Sequence, residues 1–182
     1  MRLLVVVLLF STAVGSMAVG AESFGEWSGL NRLLGRPPTG IDVLLQIHQY
    51  DLFEQAAAET AGQRGDAALR KLSMSESDVA QTRDDRLAEL SQRPNLNVKL
   101  SEEPSYCVSG RLAGLQGSVG ASYVHMYYDD QLAEQQSAIS LLQRYIAKPD
   151  NADVKKFAVE LMPALQAELN AVKTASIDSA AK

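Results

Sequence analysis

The stretch SVGASYVHMYYDDQLAEQQSAISLLQRYIAKPDNADVKKFAVELMPALQAELNAVK, Ser118–Lys173, decides the fold. Two helical patterns sit in it. The first carries Tyr123, Met126, Tyr127, Ala133, Ile139, Leu142 and Ile146, and the second Val154, Phe157, Ala158, Leu161, Leu165, Leu169 and Val172. Apolar residues at steps of three and four mark one buried face of a helix. Only Lys148-Pro149-Asp150-Asn151 separates the two patterns. A connector so short makes the helices fold back as an antiparallel hairpin. The spacing predicts helices over about 118–147 and 151–173, with Pro163 kinking the second.

Working upstream, two more helices complete a bundle. Thr39 is an N-cap with Asp42 as its capping-box partner, and Ile41, Leu44, Leu45, Leu52, Phe53 and Ala56 recur behind it. This predicts a helix over about 40–61, ended by Gly62 and Gly65. Asp66 caps the next, about 67–92, whose stripe is Leu69, Leu72, Val79, Leu87 and Leu90, and Pro94 stops it. Glu76 and Arg83 fall in register with that stripe, and Glu168 does the same in the last helix. A buried charge needs a partner. Glu76 and Arg83 lie about 10 Å apart along one axis, too far for a direct pair. Long Arg and Glu side chains at such places ordinarily reach out to water, and the alternative is a pair of Arg83 with Glu168 across the bundle.

Residues 93–110 have no clear periodicity, and 111–115 add one helical turn. A connection of that length crosses a bundle from end to end. The expected fold is all-α, a four-helix bundle domain over 40–173 with a long crossover between its second and third helices. A lead-in segment, 22–39, precedes it and carries Trp27, Leu30, Leu33 and Leu34. The tail, 174–182, is small and polar and is expected to be disordered.

The first 21 residues are a separate matter. Arg2 precedes the apolar run Leu3–Phe10, no further charge appears before Glu22, and Val19-Gly20-Ala21 has cleavage-site spacing. This is the pattern of a signal peptide, 1–21, and places the mature protein in the periplasm or outside the cell. The competing reading is an uncleaved anchor, weakened by the Ser, Gly, Ala and Thr of its second half. After cleavage no membrane span is expected.

Composition narrows the function. The chain has 182 residues, a net charge of -5 and 6% aromatic residues. No basic stripe interleaves with aromatics, so nucleic-acid binding is not expected. Cys107 is the sole cysteine, which rules out an internal disulfide. It reads as a half-buried small apolar side chain, and alternatively as a reactive thiol or an intermolecular bridge.

Ala121-Ser122-Tyr123-Val124, Asp153-Val154-Lys155-Lys156-Phe157-Ala158 and Leu161-Met162-Pro163-Ala164-Leu165-Gln166-Ala167-Glu168-Leu169 resemble the exported bacterial family called domain of unknown function 4142. The resemblance implies a ferritin-like four-helix bundle in the cell envelope and no established activity. It also implies an Asp-His pair in the second helix, a His in the third and a closing His in the fourth. This chain has no His in its second helix, Gln131 in the third-helix place and Glu168 in the closing place, with Met162 for a Leu.

A carboxylate-bridged di-metal centre in such a bundle takes Glu-x-x-His units from two helices. The only histidines are His48 and His125, preceded at three residues by Leu45 and Ser122. No such unit exists, and no metal or other cofactor is expected. The pairs His48/Asp51 and His125/Asp129 each share a helix face and leave a lesser metal site open beside the plainer reading of solvated or capping side chains. No nucleophile elbow or phosphate loop occurs. Tyr123, Tyr127 and Tyr128 suggest either an aromatic-ligand pocket or packing between helices with hydroxyls at the rim. Catalytic residues are not expected. The expected function is that of a non-enzymatic envelope protein with a structural or interaction role and an envelope protein partner. The alternative is a metal- or small-ligand-binding bundle acting in envelope stress.

Overall fold

A computed structural model describes residues 35–181. The signal segment, its cleavage site and the lead-in residues Trp27, Leu30, Leu33 and Leu34 lie outside the described residues. Five helices follow: α1 (Gly40–Arg64), α2 (Ala67–Ser91), α3 (Tyr106–Gly117), α4 (Gly120–Ala147) and α5 (Ala152–Ala180). No strand occurs among the described residues, so the fold is all-α.

Side-chain caps start four of these five helices, and α4 begins after Val119 without one. At α1 the Thr39 side chain takes the Asp42 N–H at 3.1 Å and the Asp42 carboxylate takes the Thr39 N–H at 2.9 Å, the capping box expected from sequence. Asp66 caps α2 through the Leu69 N–H, Ser105 caps α3 through the Val108 N–H, and Asn151 caps α5 through Asp153 and Val154. The short connector is fastened from both sides. The Tyr145 hydroxyl donates to Asp150 or to the Asn151 carbonyl, each at 3.1 Å, and Asp150 accepts the Gly40 N–H at 2.8 Å. A carboxylate at the start of α1 also meets the positive end of that helix. Gly40 permits the approach, because a Cβ there would lie 3.1 Å from the Tyr145 hydroxyl.

These fastenings define the topology. One end of the bundle holds the start of α1, the α4–α5 connector and the end of α2, where Arg93 pairs with Asp153. The other end holds the end of α1, where Arg64 donates to the carbonyls of Gln116 and Ser118 beside the start of α4. Hence α1 and α5 run one way and α2 and α4 the other. The chain leaving α2 must travel back along the bundle before α4 begins. Residues 92–105 and α3 make that crossing.

Two expectations are corrected. The crossover holds a 12-residue helix, not a single turn at 111–115. Its buried side chains, Val108, Leu112 and Leu115, step by four and three, and dock on the bundle strongly enough to offset the low helix propensity of Gly110 and Gly114. The tail is not disordered from Thr174, because α5 continues to Ala180. Val172 is fully buried and Ala175 packs against the same cluster, so the helix is held by contacts past the expected end. Pro163 lies inside α5 on its exposed side, where the carbonyl that loses a donor can face water.

The interior is divided. One apolar cluster, with Val43, Leu44, Ile47, Leu141, Leu142, Phe157 and Leu165, fills the end near the α4–α5 connector. A second, with Phe53, Ala57, Ala61, Leu69, Leu115, Tyr123 and Val172, fills the other. Between them the helices turn polar side chains inward.

Candidate functional site

The inward positions of α2 are Leu69, Ser73, Glu76, Ala80, Arg83, Leu87 and Leu90, alternating steps of four and three. Val79, expected in the stripe, is 40% exposed and Ala80 faces inward in its place. The rotation is set by the whole set of neighbours, since α2 has too few large apolar residues in its middle to set it alone. Asp51 and Glu54 on α1, Gln131 and Gln135 on α4 and Glu168 on α5 meet this middle stretch of α2 or one another. All four long helices of the bundle thus supply one polar layer.

Arg83 is its centre. The guanidinium donates through Nε to Asp51 Oδ1 at 2.6 Å and through Nη1 to both Glu168 oxygens at 3.3 Å. Its Cζ lies 4.7 Å from the centre of the Tyr50 ring, a cation–π contact, and the Tyr50 hydroxyl donates to Glu168 at 3.3 Å. The Arg83–Glu168 pair, the alternative raised from the sequence, is therefore formed, and Arg83 does not reach water. Asp51 is the closer partner and was not foreseen in that role, because the sequence pattern paired it with His48. Arg83 and Asp51 are 4% and 0% exposed. Breaking such a pair strands a charge in the interior.

A second group sits beside it. Gln131 donates to Glu54 at 3.0 Å, Gln135 to Glu76 at 3.4 Å and the Tyr127 hydroxyl to Glu76 at 3.1 Å. The Tyr127 hydroxyl is thus in the interior and not at the rim. Its ring packs tilted on Tyr123 at 6.3 Å and edge-on to Tyr128 at 6.0 Å, which favours the packing reading of the tyrosine cluster.

Charge is unevenly met across the layer. Burial pushes Glu54 up to about 7, and burial together with the nearby Glu54 pushes Glu76 up to about 9. Glu76 is therefore protonated near neutral pH. Burial also raises Asp51, against the pull of the guanidinium, while the surrounding acids hold Arg83 firmly protonated despite its burial. At 2.6 Å from a permanent cation, Asp51 is the best placed of these carboxyls to stay ionised.

The histidines stand apart from this layer. His48 lies with Nδ1 at 2.5 Å from Asp84 Oδ1 and Nε2 at 2.5 Å from the Ser101 carbonyl. A carboxylate and a carbonyl both accept, an arrangement that favours a ring protonated at both nitrogens. Burial works to lower its pKa, but Asp84 and the Ser101 carbonyl outweigh it and hold the pKa above the usual value. With both nitrogens engaged, His48 has none to offer a metal together with Asp51. Its neighbour Gln49 accepts the Ser105 N–H at 2.5 Å, so α1 grips the crossover at two successive residues. His125 and Asp129 both lie on the exposed side of α4. Cys107 is half-buried near the start of α3.

A carboxylate-bridged di-metal centre does not fit these residues. The places of the family's histidines on α4 and α5 hold Gln131 and Glu168, and a guanidinium already lies between Asp51 and Glu168. Among the described residues no three His, Cys, Asp or Glu side chains come together in a way that could hold a metal ion.

No helix among the described residues is long and apolar enough to cross a membrane. Comparison with curated proteins and with solved structures gives no match. The residues of the polar layer and the hairpin motifs from which the resemblance starts fall within residues 38–175, the span matched by the model of one family, and the chain belongs to that family, described as Domain of unknown function (DUF4142).

Proposed function

We propose that this protein is an exported bundle of the cell envelope that works through structure and contact with an envelope partner, not through catalysis. One observation carries this reading: the interior's charged groups are buried and face one another. Arg83 is committed to Asp51 and Glu168, and Glu76 accepts from Tyr127 and Gln135. An enzyme's acid, base or nucleophile must reach a substrate, and these side chains lie at or below 5% exposure except for Glu168. The outside is left for recognition, with Tyr106 at 91% exposure at the start of α3 and Val119 at 73% just past its end.

Export is tested by the intact mass of the protein from envelope fractions. A mature chain beginning at Glu22 is expected, and a chain retaining Met1–Ala21 would replace export by anchoring. Contact is tested by crosslinking in intact cells followed by affinity purification of the bundle. The expected result is a discrete crosslinked species containing an envelope protein, lost when Tyr106 and Val119 are both changed to Ser. A chain that crosslinks to nothing but itself would overturn the contact reading.

A further inference from the structure

We infer that the outward face of α2 is a docking surface for a second copy of this chain, laid antiparallel across it about a two-fold axis.

The face is regular. Lys71, Ser75, Asp78, Thr82, Asp85 and Glu89 step by four and three, lie opposite the buried stripe of α2 and are all exposed. Two large apolar side chains border it, Met74 at 64% and Val79 at 40% exposure.

The charges of α2 run against its own dipole. Behind the Asp66 cap, α2 has no acid in its first turn and no base in its last. Arg70 and Lys71 stand near its positive end, and Asp85 and Glu89 near its negative end. In α1 the order is the favourable one, with Asp42 in the first turn and Arg64 in the last. Among the described residues, Arg70, Lys71, Asp85 and Glu89 form no ion pair that would offset the conflict.

An antiparallel copy removes it. The copy brings its own Glu89 beside the start of α2 and its own Lys71 beside the end. The register that sets Lys71 against Glu89 puts the two-fold axis level with Ala80. It also sets Ser75 against Asp85 and Thr82 against Asp78, so a hydroxyl meets each inner acid. Every contact then occurs twice, as two-fold symmetry requires. At about 1.5 Å per residue, Val79 falls about 3 Å along the axis from its own copy, and Met74 about 18 Å from its copy. A basic start, hydroxyls between acids and an acidic end are together complementary to their own reverse. That self-complementarity singles out a second copy over an unrelated partner.

The test uses purified full-length mature protein, followed by sedimentation velocity over a concentration series. The wild type is expected to show a reversible monomer–dimer equilibrium. Lys71→Glu and Glu89→Lys each set like charges against each other at both ends of the pair, and each should weaken the dimer by about tenfold or more. Both residues are exposed, so circular dichroism should show unchanged helix content. Mixing the two variants should restore dimers, because the first then carries acids at both places and the second bases. Direction is read separately. In a Cys107→Ala background, a short bis-maleimide should join copies carrying Val79→Cys and leave copies carrying Met74→Cys unlinked.

A wild type that stays monomeric up to its solubility limit would overturn the inference. So would a dimer that both charge reversals leave intact, or a mixture no more dimeric than its components. Equal linking at positions 74 and 79, which a parallel pair would give, would do the same. Purified protein contains no envelope partner, so this pairing and the partner contact at Tyr106 and Val119 fail separately.

Discussion

The two apolar clusters and the polar layer between them solve the same packing problem by different physics. In the cluster with Leu44, Leu142 and Leu165, contact is non-directional, and any well-fitting apolar side chain does the work. In the layer, each group depends on a named partner at a set distance, as Arg83 does on Asp51 at 2.6 Å. The difference teaches where this bundle's specificity resides. Apolar faces bring four helices together, and the layer selects the height and rotation at which their charges meet.

The largest effect should come from breaking that layer. Arg83→Leu strands Asp51 and Glu168 and should cost about 3–5 kcal/mol in denaturant unfolding. A cycle with Glu168→Leu should show clear coupling, and strictly additive losses would mean that the two side chains act independently.

Next comes the contrasting change in an apolar cluster. Leu142 is fully buried, and Leu142→Ala should cost about 3 kcal/mol through lost contact and a cavity. This loss should be the same at pH 5 and pH 8, since no titrating group is involved. A loss that changes with pH would show that the cluster and the layer are not separable.

Glu76→Gln should have a smaller effect of opposite sign. The Glu76 carboxyl is pushed from 4.5 up to about 9. Between those values the unfolded chain has released the proton and the folded one retains it, so wild-type stability falls as pH rises. An amide mimics the protonated acid, and the variant should therefore gain on wild type progressively across that window. Parallel stability curves for the two proteins would refute the buried proton.

The smallest effect is expected at His48, which ties the crossover to the bundle. Its folded pKa is raised, so the contribution is complete below the unfolded value of 6.5 and is lost as pH rises past the folded one. His48→Gln should cost about 1 kcal/mol at pH 5 and less at high pH. Amide hydrogen exchange around Ser101 should be faster in the variant at low pH. Equal exchange in both proteins would remove the crossover from His48's role.

Much of the fold was legible because local chemistry wrote it. The Thr39–Asp42 capping box, the Asp66 and Pro94 signals and the short Lys148–Asn151 connector set helix ends and the hairpin within the chain's own neighbourhood. The site was legible only in part. Arg83 and Glu168 stood out because charges fell in apolar register. Asp51, Glu54, Gln131 and Gln135 did not, since acidic and amide residues on a helix normally face water. Their signal lay in a step of three or four from Ile47, Tyr50, Tyr127 and Ala138, and it could be read only once each helix's rotation was known.

By itself, then, the sequence determined the helices, the antiparallel hairpins and the crossing of a long segment between them, because caps, breakers and periodicity act over a few residues. Tertiary structure alone decided that Asp51 turns to Arg83 while His48 turns to Asp84 and Ser101, that 106–117 is helical and that α5 reaches Ala180. Those outcomes depend on which faces meet across the bundle, and a rotation of a few tens of degrees, which local pattern leaves open, decides which of two neighbouring carboxylates meets a buried cation.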